Sequence, residues 1–172
     1  MQHDELGAEL KDLHHQIDDA VTVLSEIHGE RLKCKLGCTS CCIDGISVFN
    51  IEADNIRDWV GEKLQGHKPS EEGKCAFLTD SGACRIYPVR PYVCRTQGLP
   101  LRWIDFESGT EKRDICPLNE PGKNLLSLSE NSCWEIGPTE MQLRSLEEGT
   151  SLNSRKQKRV SLRDLFYELS HY

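Results

Sequence analysis

No stretch of this sequence approaches the ~18 consecutive apolar residues of a membrane span. It holds no G-x-G-x-x-G, so a dinucleotide cradle of the Rossmann type is unsupported, and no H-E-x-x-H, so the helical zinc-protease site is unsupported too. Gly61 and Gly66 have the spacing of a phosphate loop, but His67 stands where that loop needs a lysine. Positive charge is in deficit: 21 Lys and Arg face 28 Asp and Glu, for a net charge of −7. Phosphate binding is driven by Lys and Arg, so nucleic acid is not an expected partner. One short basic run, Arg155 to Arg159, reads as a solvated linker or helix start. The opening residues, Met1 to Leu6, lack the basic and apolar regions of an export signal, so no membrane association is expected and the cytoplasm is the expected compartment.

Cysteine is missing from the first 33 residues and the last 39, yet nine lie between Cys34 and Cys133. In a reducing compartment thiols bind metals or do chemistry instead of pairing, and an odd count suits a complete disulfide framework poorly. Cys34, Cys38, Cys41 and Cys42 fall within one short loop, where neighbouring thiolates converge on an ion without spanning a fold. Cys75, Cys84, Cys94 and Cys116 follow at longer intervals. Histidine is nearly absent from this region, His67 being its sole representative. The ligand set is therefore thiolate-dominated, which selects zinc or an iron–sulfur cluster over magnesium or calcium.

A four-thiolate zinc site or an oxidised four-iron cluster carries about −2 and needs compensation when buried. Arg85, Arg90 and Arg95 stand beside Cys84 and Cys94, where they are expected to neutralise the centre and donate to sulfur, unless they pair with carboxylates. In an extended stretch Cys41 and Cys42 would point opposite ways, so one would bind and the other pack, bind a second ion or stay reactive. With nine cysteines, one centre with spare thiols and two centres are both allowed.

Around this region the chain reads as helices. Leu6, Leu10, Leu13, Ile17, Ala20, Leu24 and Ile27 form a heptad seam over 4–28. Packing of this helix within its own domain is favoured over a homodimer through it. Ile46 and Val48 read as a short strand, Asn50 as the cap of a helix over 51–65, and 66–73 as a polar loop. Hairpins are expected around Asp80-Ser81-Gly82, and from Trp103–Phe106 to Ile115. A loop over 117–132 precedes helices over 138–148 and 162–169, the last expected to pack on the N-terminal helix. The expected architecture is a single small α+β domain over 1–172. Its irregular cysteine-rich, metal-stapled centre (34–116) carries short hairpins, and helices flank it at 4–28 and 138–172.

The blocks Cys34-Lys35-Leu36-Gly37-Cys38-Thr39-Ser40-Cys41-Cys42 and Cys84-Arg85-Ile86-Tyr87-Pro88-Val89-Arg90-Pro91-Tyr92-Val93-Cys94-Arg95 resemble the YkgJ-like CxxCxxCC proteins, a family described as zinc- or iron-chelating. Cys75 and Cys116-Pro117 extend the resemblance, and the first gap here is three residues where the family has two. It implies metal chelation by Cys34, Cys38, Cys41, Cys42, Cys75, Cys84, Cys94 and Cys116, with Cys38, Cys42, Cys84 and Cys94 foremost. Cys133 is expected to be structural or a peripheral ligand. Flagellin lysine N-methylases carry a similar cluster, which keeps a redox or methyl-transfer enzyme holding an iron–sulfur cluster (4Fe-4S favoured) in view. The alternative is a non-catalytic, zinc-stabilised module that binds a protein or small-molecule partner.

Overall fold

The structure, a computed structural model, describes residues 2–34, 37–119, 124–149 and 159–170. Apolar periodicity near 3.6 makes the first element, α1 (Gln2–Ile27), which buries Leu10, Leu13, Ile17 and Leu24. The buried stripe leaves the expected seam along its length. Ala20 is exposed and Ile27 is 56% exposed, while Val21 packs inward and His14 and His28 join the buried face. A straight helix drifts about 20° per heptad from a 3.5-residue repeat, and nothing here forces the supercoil that would cancel the drift.

After the first cysteine loop come β1 (Ser47–Val48) and α2 (Asn50–Val60), then a 3₁₀ turn over Gly61–Leu64. The short α3 (Tyr92–Arg95) carries Cys94 and leads to the hairpin β2 (Leu101–Ile104) and β3 (Glu111–Asp114). Next are β4 (Trp134–Glu135), α4 (Ile136–Gly149), β5 (Val160–Ser161) and α5 (Leu162–Ser170). The fold is small and α+β, with two miniature sheets. β1 pairs antiparallel with β5, and β2 lies between antiparallel β3 and parallel β4. Among the described residues, no helix is long and apolar enough to cross a membrane.

The cap of α2 is Phe49, and Asn50 is its first helical residue. Asn50 donates its backbone N–H and its side-chain amide to the Glu147 carboxylate, at 2.7 and 2.8 Å, so α4 satisfies orphan donors at the start of α2. Glu52 accepts the Phe49 N–H from within the first turn, at 3.3 Å.

Two apolar clusters meet along α2. One gathers Val48, Ala53, Ile56 and Val60 with Ala76, Phe77, Ile86 and, from α5, Leu162, Leu165 and Phe166. Phe77 and Phe166 cross edge to face at 5.2 Å, the geometry that the ring quadrupoles favour. The other joins α1 to Phe49, Ile51, Tyr92, Leu99, Trp134 and Leu143. Thus α5 packs on α2 and the turn after it, whereas α1 packs on α2, α3 and α4. The expected seat of the last helix on the first is corrected. β5, drawn into pairing with β1, leads α5 directly onto the opposite flank of α2.

The first expected hairpin shrinks to a single bridge, Leu78 with Cys84, around Gly82 at φ +79°. The 3₁₀ turn Tyr87–Val89, with Pro88 inside it, ends pairing there because proline supplies no N–H. The second hairpin forms two residues earlier than Trp103, with Leu101 opposite Asp114 and Ile104 opposite Glu111. Cys116 follows directly from it.

Candidate metal centre

All nine cysteines are free thiols. Loops and short turns carry them, and the helices fix those loops through buried polar groups. The 37–42 segment ends in a tight turn in which the Cys42 N–H donates to the Thr39 carbonyl at 2.9 Å. This turn puts the two adjacent thiols on one side: Cys41 hydrogen-bonds to Cys42, which pushes Cys41 far up and draws Cys42 down. The expectation that the pair points opposite ways assumed an extended strand and is corrected.

Cys42 lies beside the second segment. The Cys75 N–H donates to the Cys42 carbonyl at 2.9 Å, and an isolated bridge joins Ile43 to Lys74. The Cys84 loop abuts as well, since a Cβ on Gly82 would touch the Thr39 methyl at 3.4 Å. Cys42 and Cys84 both pack on the apolar cluster that contains buried Cys75. The charge that Cys42 would carry is opposed by Cys75, Cys84 and Cys94. Burial pushes Cys75 and Cys84 up, and raises Cys94 to about 12. The loop of Cys84 therefore lies against the first cysteine loop.

Burial pushes Cys34 up, and Cys38, Cys116 and Cys41 act on it in the same direction. Cys133 is buried beside Trp134, and the charged groups acting on it are Arg113, Glu111, Arg102 and Arg31. Among the described residues, no three His, Cys, Asp or Glu side chains stand close enough together to hold an ion. The thiols are neighbours on converging loops and have not closed into a cage.

Of the arginines beside the cysteines, Arg95 is engaged elsewhere, which corrects its expected role. Arg95 is buried and pairs with Asp18 of α1; it also donates to the Arg90 carbonyl at 2.9 Å and meets His14 Nδ1 at 3.3 Å. Arg90 stacks on Tyr87 and lies 3.5 Å from Asp18, although its charge still lowers Cys84. Arg85 approaches His67 at 3.4 Å, and its buried Nε has no hydrogen-bond partner. Chain adjacency to a cysteine does not fix the direction of a long side chain, and Asp18 offered a competing carboxylate.

Three residues that order the site were missed in the sequence. Glu52, 1% exposed, accepts the Tyr92 N–H at 2.7 Å and so fixes the start of α3, the helix of Cys94; His14 Nε2 lies 3.5 Å away. Arg163 of α5 donates to Asp44 at 2.6 Å and to the carbonyls of Ser70, Glu71 and Lys74, clamping the loops of Cys42 and Cys75 together. Asn119, wholly buried, binds the loops of Cys34 and Cys116. Each is an ordinary polar residue whose partner is remote in sequence. A signal was present only for Glu52, whose place in the first turn of a helix suits a capping carboxylate.

The donor set suits a soft metal: free thiols drawn from separate segments, with no histidine among them. The class so defined is a cysteine-thiolate chelating domain. The family model CxxCxxCC, described as "Putative zinc- or iron-chelating domain", matches residues 33–117. No curated protein and no solved structure matches the chain.

Proposed function

We propose that this protein holds an iron–sulfur cluster through the thiolates of Cys42, Cys75, Cys84 and Cys94. The observation that carries the reading is that Cys42, Cys75 and Cys84, free thiols from separate loops, meet on the edge of one apolar cluster. A low-dielectric wall on one side and solvent on the other suit a centre whose potential is set by burial and charge. A bound cluster would supply one-electron chemistry. The protein's part is to bring the four sulfurs together, to exclude water with Phe77, Leu78 and Ile86, and to offset the anion with Arg85 and Arg90. A redox role is the one that chemistry supports. A second reading is a closed structural zinc site in a non-catalytic interaction module. It is favoured by the burial of Cys75 and by the loop-rich build of the segment, which a four-coordinate ion would staple.

Anaerobic purification followed by iron, sulfide and zinc analysis separates these readings. Brown protein with a broad absorption near about 400 nm and acid-labile sulfide is the expected result. Colourless protein with stoichiometric zinc transfers the function to the second reading, and metal-free protein ends both.

A further inference from the structure

The fold uses only part of the apolar pattern of α1. Leu10, Leu13, Ile17 and Leu24 are buried, whereas Ala20 and Ile27 of the same seam lie outside. Val23 joins them there, and Val23 and Ile27 are 57% and 56% exposed. At about 100° per residue, Ala20, Val23 and Ile27 fall within about 60° of one another on the helix surface. Singly exposed apolar side chains are ordinary, but steps of three and four are the pattern by which one helix receives another. The rest of this surface is acidic. Glu5 and Glu9 continue the line of the strip toward the N-terminus, and Asp12, Asp19 and Glu26 run beside it; all five are exposed. Lys11 is the one Lys or Arg of the helix. Among the described residues these five carboxylates enter no ion pair, unlike Asp18 at the helix edge, which holds Arg90 and Arg95.

From this arrangement we propose that the outer face of α1 is a docking surface for a basic amphipathic helix of a partner protein. Ala20, Val23 and Ile27 are its apolar seat, and the exposed carboxylates are its charge match. The partner's apolar side chains lie along the strip at helical spacing, and its Lys and Arg side chains meet the acidic flank. A second copy of this chain is the poorer occupant. Pairing α1 with α1 sets carboxylate against carboxylate on the positions that flank a helix–helix contact, where like charges disfavour pairing. The seat is also small beside the roughly 800 Å² per partner of a stable interface, so the contact is reversible and charge supplies its speed and selectivity. Since α1 packs on α2, α3 and α4 through its inner face, docking on the outer face leaves the fold intact. The inference is independent of which metal the cysteines hold.

The probe is a fluorescein-labelled synthetic peptide of three heptads, leucine at positions a and d and lysine or alanine elsewhere, titrated with the full chain as purified and followed by anisotropy. Binding should saturate with a Kd on the order of 10 μM and weaken as salt rises from about 0.1 to about 1 M. Val23→Gln/Ile27→Gln and Asp19→Lys/Glu26→Lys should each weaken it by about tenfold or more. Asp80→Lys/Glu107→Lys makes the same charge change at exposed turns elsewhere and should leave it within about twofold of wild type. All of these positions are exposed, and a wild-type readout accompanies the variants: amide chemical-shift changes on adding the peptide should centre on α1. The proposal is overturned if a peptide of the same composition with its leucines scattered around the helix binds as tightly, or if the Asp80/Glu107 variant loses as much, since either shows attraction to net charge alone. Absence of binding at about 1 mM overturns it too. Self-association of the chain that Val23→Gln/Ile27→Gln abolishes would give the strip to a second copy and overturn the basic partner.

Discussion

Replacement of Arg163 by alanine tests whether α5 prepares the metal centre or merely covers the core. The guanidinium is 18% exposed and makes an ion pair with Asp44 plus three bonds to carbonyls, at 3.2, 3.1 and 2.8 Å. A fully buried charge-assisted bond nets about 1.5–3 kcal/mol. These bonds lie near solvent, so about 0.5–1 kcal/mol each is the appropriate scale, and the clamp sums to about 2 kcal/mol. What the clamp restrains is the spacing of two loops, one ending at Asp44 just after Cys42 and the other at Lys74 just before Cys75. If that restraint is part of ordering the ligands, its loss falls on metal binding. At 1.4 kcal/mol per decade, about 2 kcal/mol weakens metal binding by about 30-fold. Arg163→Lys keeps the charge without the planar fork and should fall between. The assay is competition for cobalt or zinc against a chromophoric chelator, alongside urea denaturation of the metal-free chain. The reasoning is refuted by an alanine variant whose metal affinity stays within about twofold of wild type while its stability falls by about 2 kcal/mol. In that case the clamp would hold α5 on the fold without presetting the cysteines.

Glu52→Ala leaves the buried N–H groups of Phe49 and Tyr92 without an acceptor, at about 1–3 kcal/mol each, so the urea midpoint should drop by at least about 1 M. Phe166→Ala removes a fully buried ring from contact with Phe77 and should cost about 3–5 kcal/mol in the same measurement. The Arg163 guanidinium beside Asp44 holds its carboxyl below the usual range, as Arg57 does for Glu168. A depressed carboxylate adds stability above its unfolded value and loses it as pH falls through the folded one, so this contribution starts to fall near about pH 4 and is gone only once the folded carboxyls are protonated. Asp44→Asn should flatten the acid limb of a stability–pH curve. Metal removal by a chelator should speed amide exchange over 37–42 and 73–94 while α1 and α5 keep their helical circular dichroism, whereas uniform exchange across the chain would show that the metal does not order the segment.

The sequence was most legible where one period repeats over many residues. The stripe of α1, the apolar positions of α2 and the triplet Leu162, Leu165 and Phe166 each carry enough repeats to specify a face. It was least legible where one hydrogen bond decides. Cys41 and Cys42 share a side because a turn closes on the Thr39 carbonyl, and nothing in the letters Thr-Ser-Cys-Cys separates that turn from a strand. Arg95 turns to Asp18, a residue far back in α1, because burial next to His14 demands a carboxylate partner and the cysteine beside it in sequence supplies no charge until it binds metal. The candidate ligands themselves were legible from spacing. The division of their loops among separate polar ties was not, because it depends on which loop Asn119 and Arg163 tie to which.

That division explains why so loop-rich a segment needs no sheet through its middle. Each cysteine-bearing stretch is fastened to a neighbouring element by one buried or half-buried polar side chain. Glu52 of α2 holds the first residue of α3, Arg163 of α5 holds the loops on either side of Cys42 and Cys75, and Asn119 holds the chain at Cys34 and Cys116. These bonds set the backbone to within reach of a common centre. They do not bring three thiols to coordinating distance. The last approach is opposed by burial, which raises Cys75, Cys84 and Cys94 and keeps them protonated and apart. A metal ion reverses that balance, because it binds only the thiolates and replaces their mutual repulsion with attraction to one charge. The helices and their polar ties therefore do the work of bringing the chain together, and the metal does the work of closing it. Weakening a tie should accordingly lower metal affinity before it disturbs helix content, in the order in which each tie touches a cysteine loop.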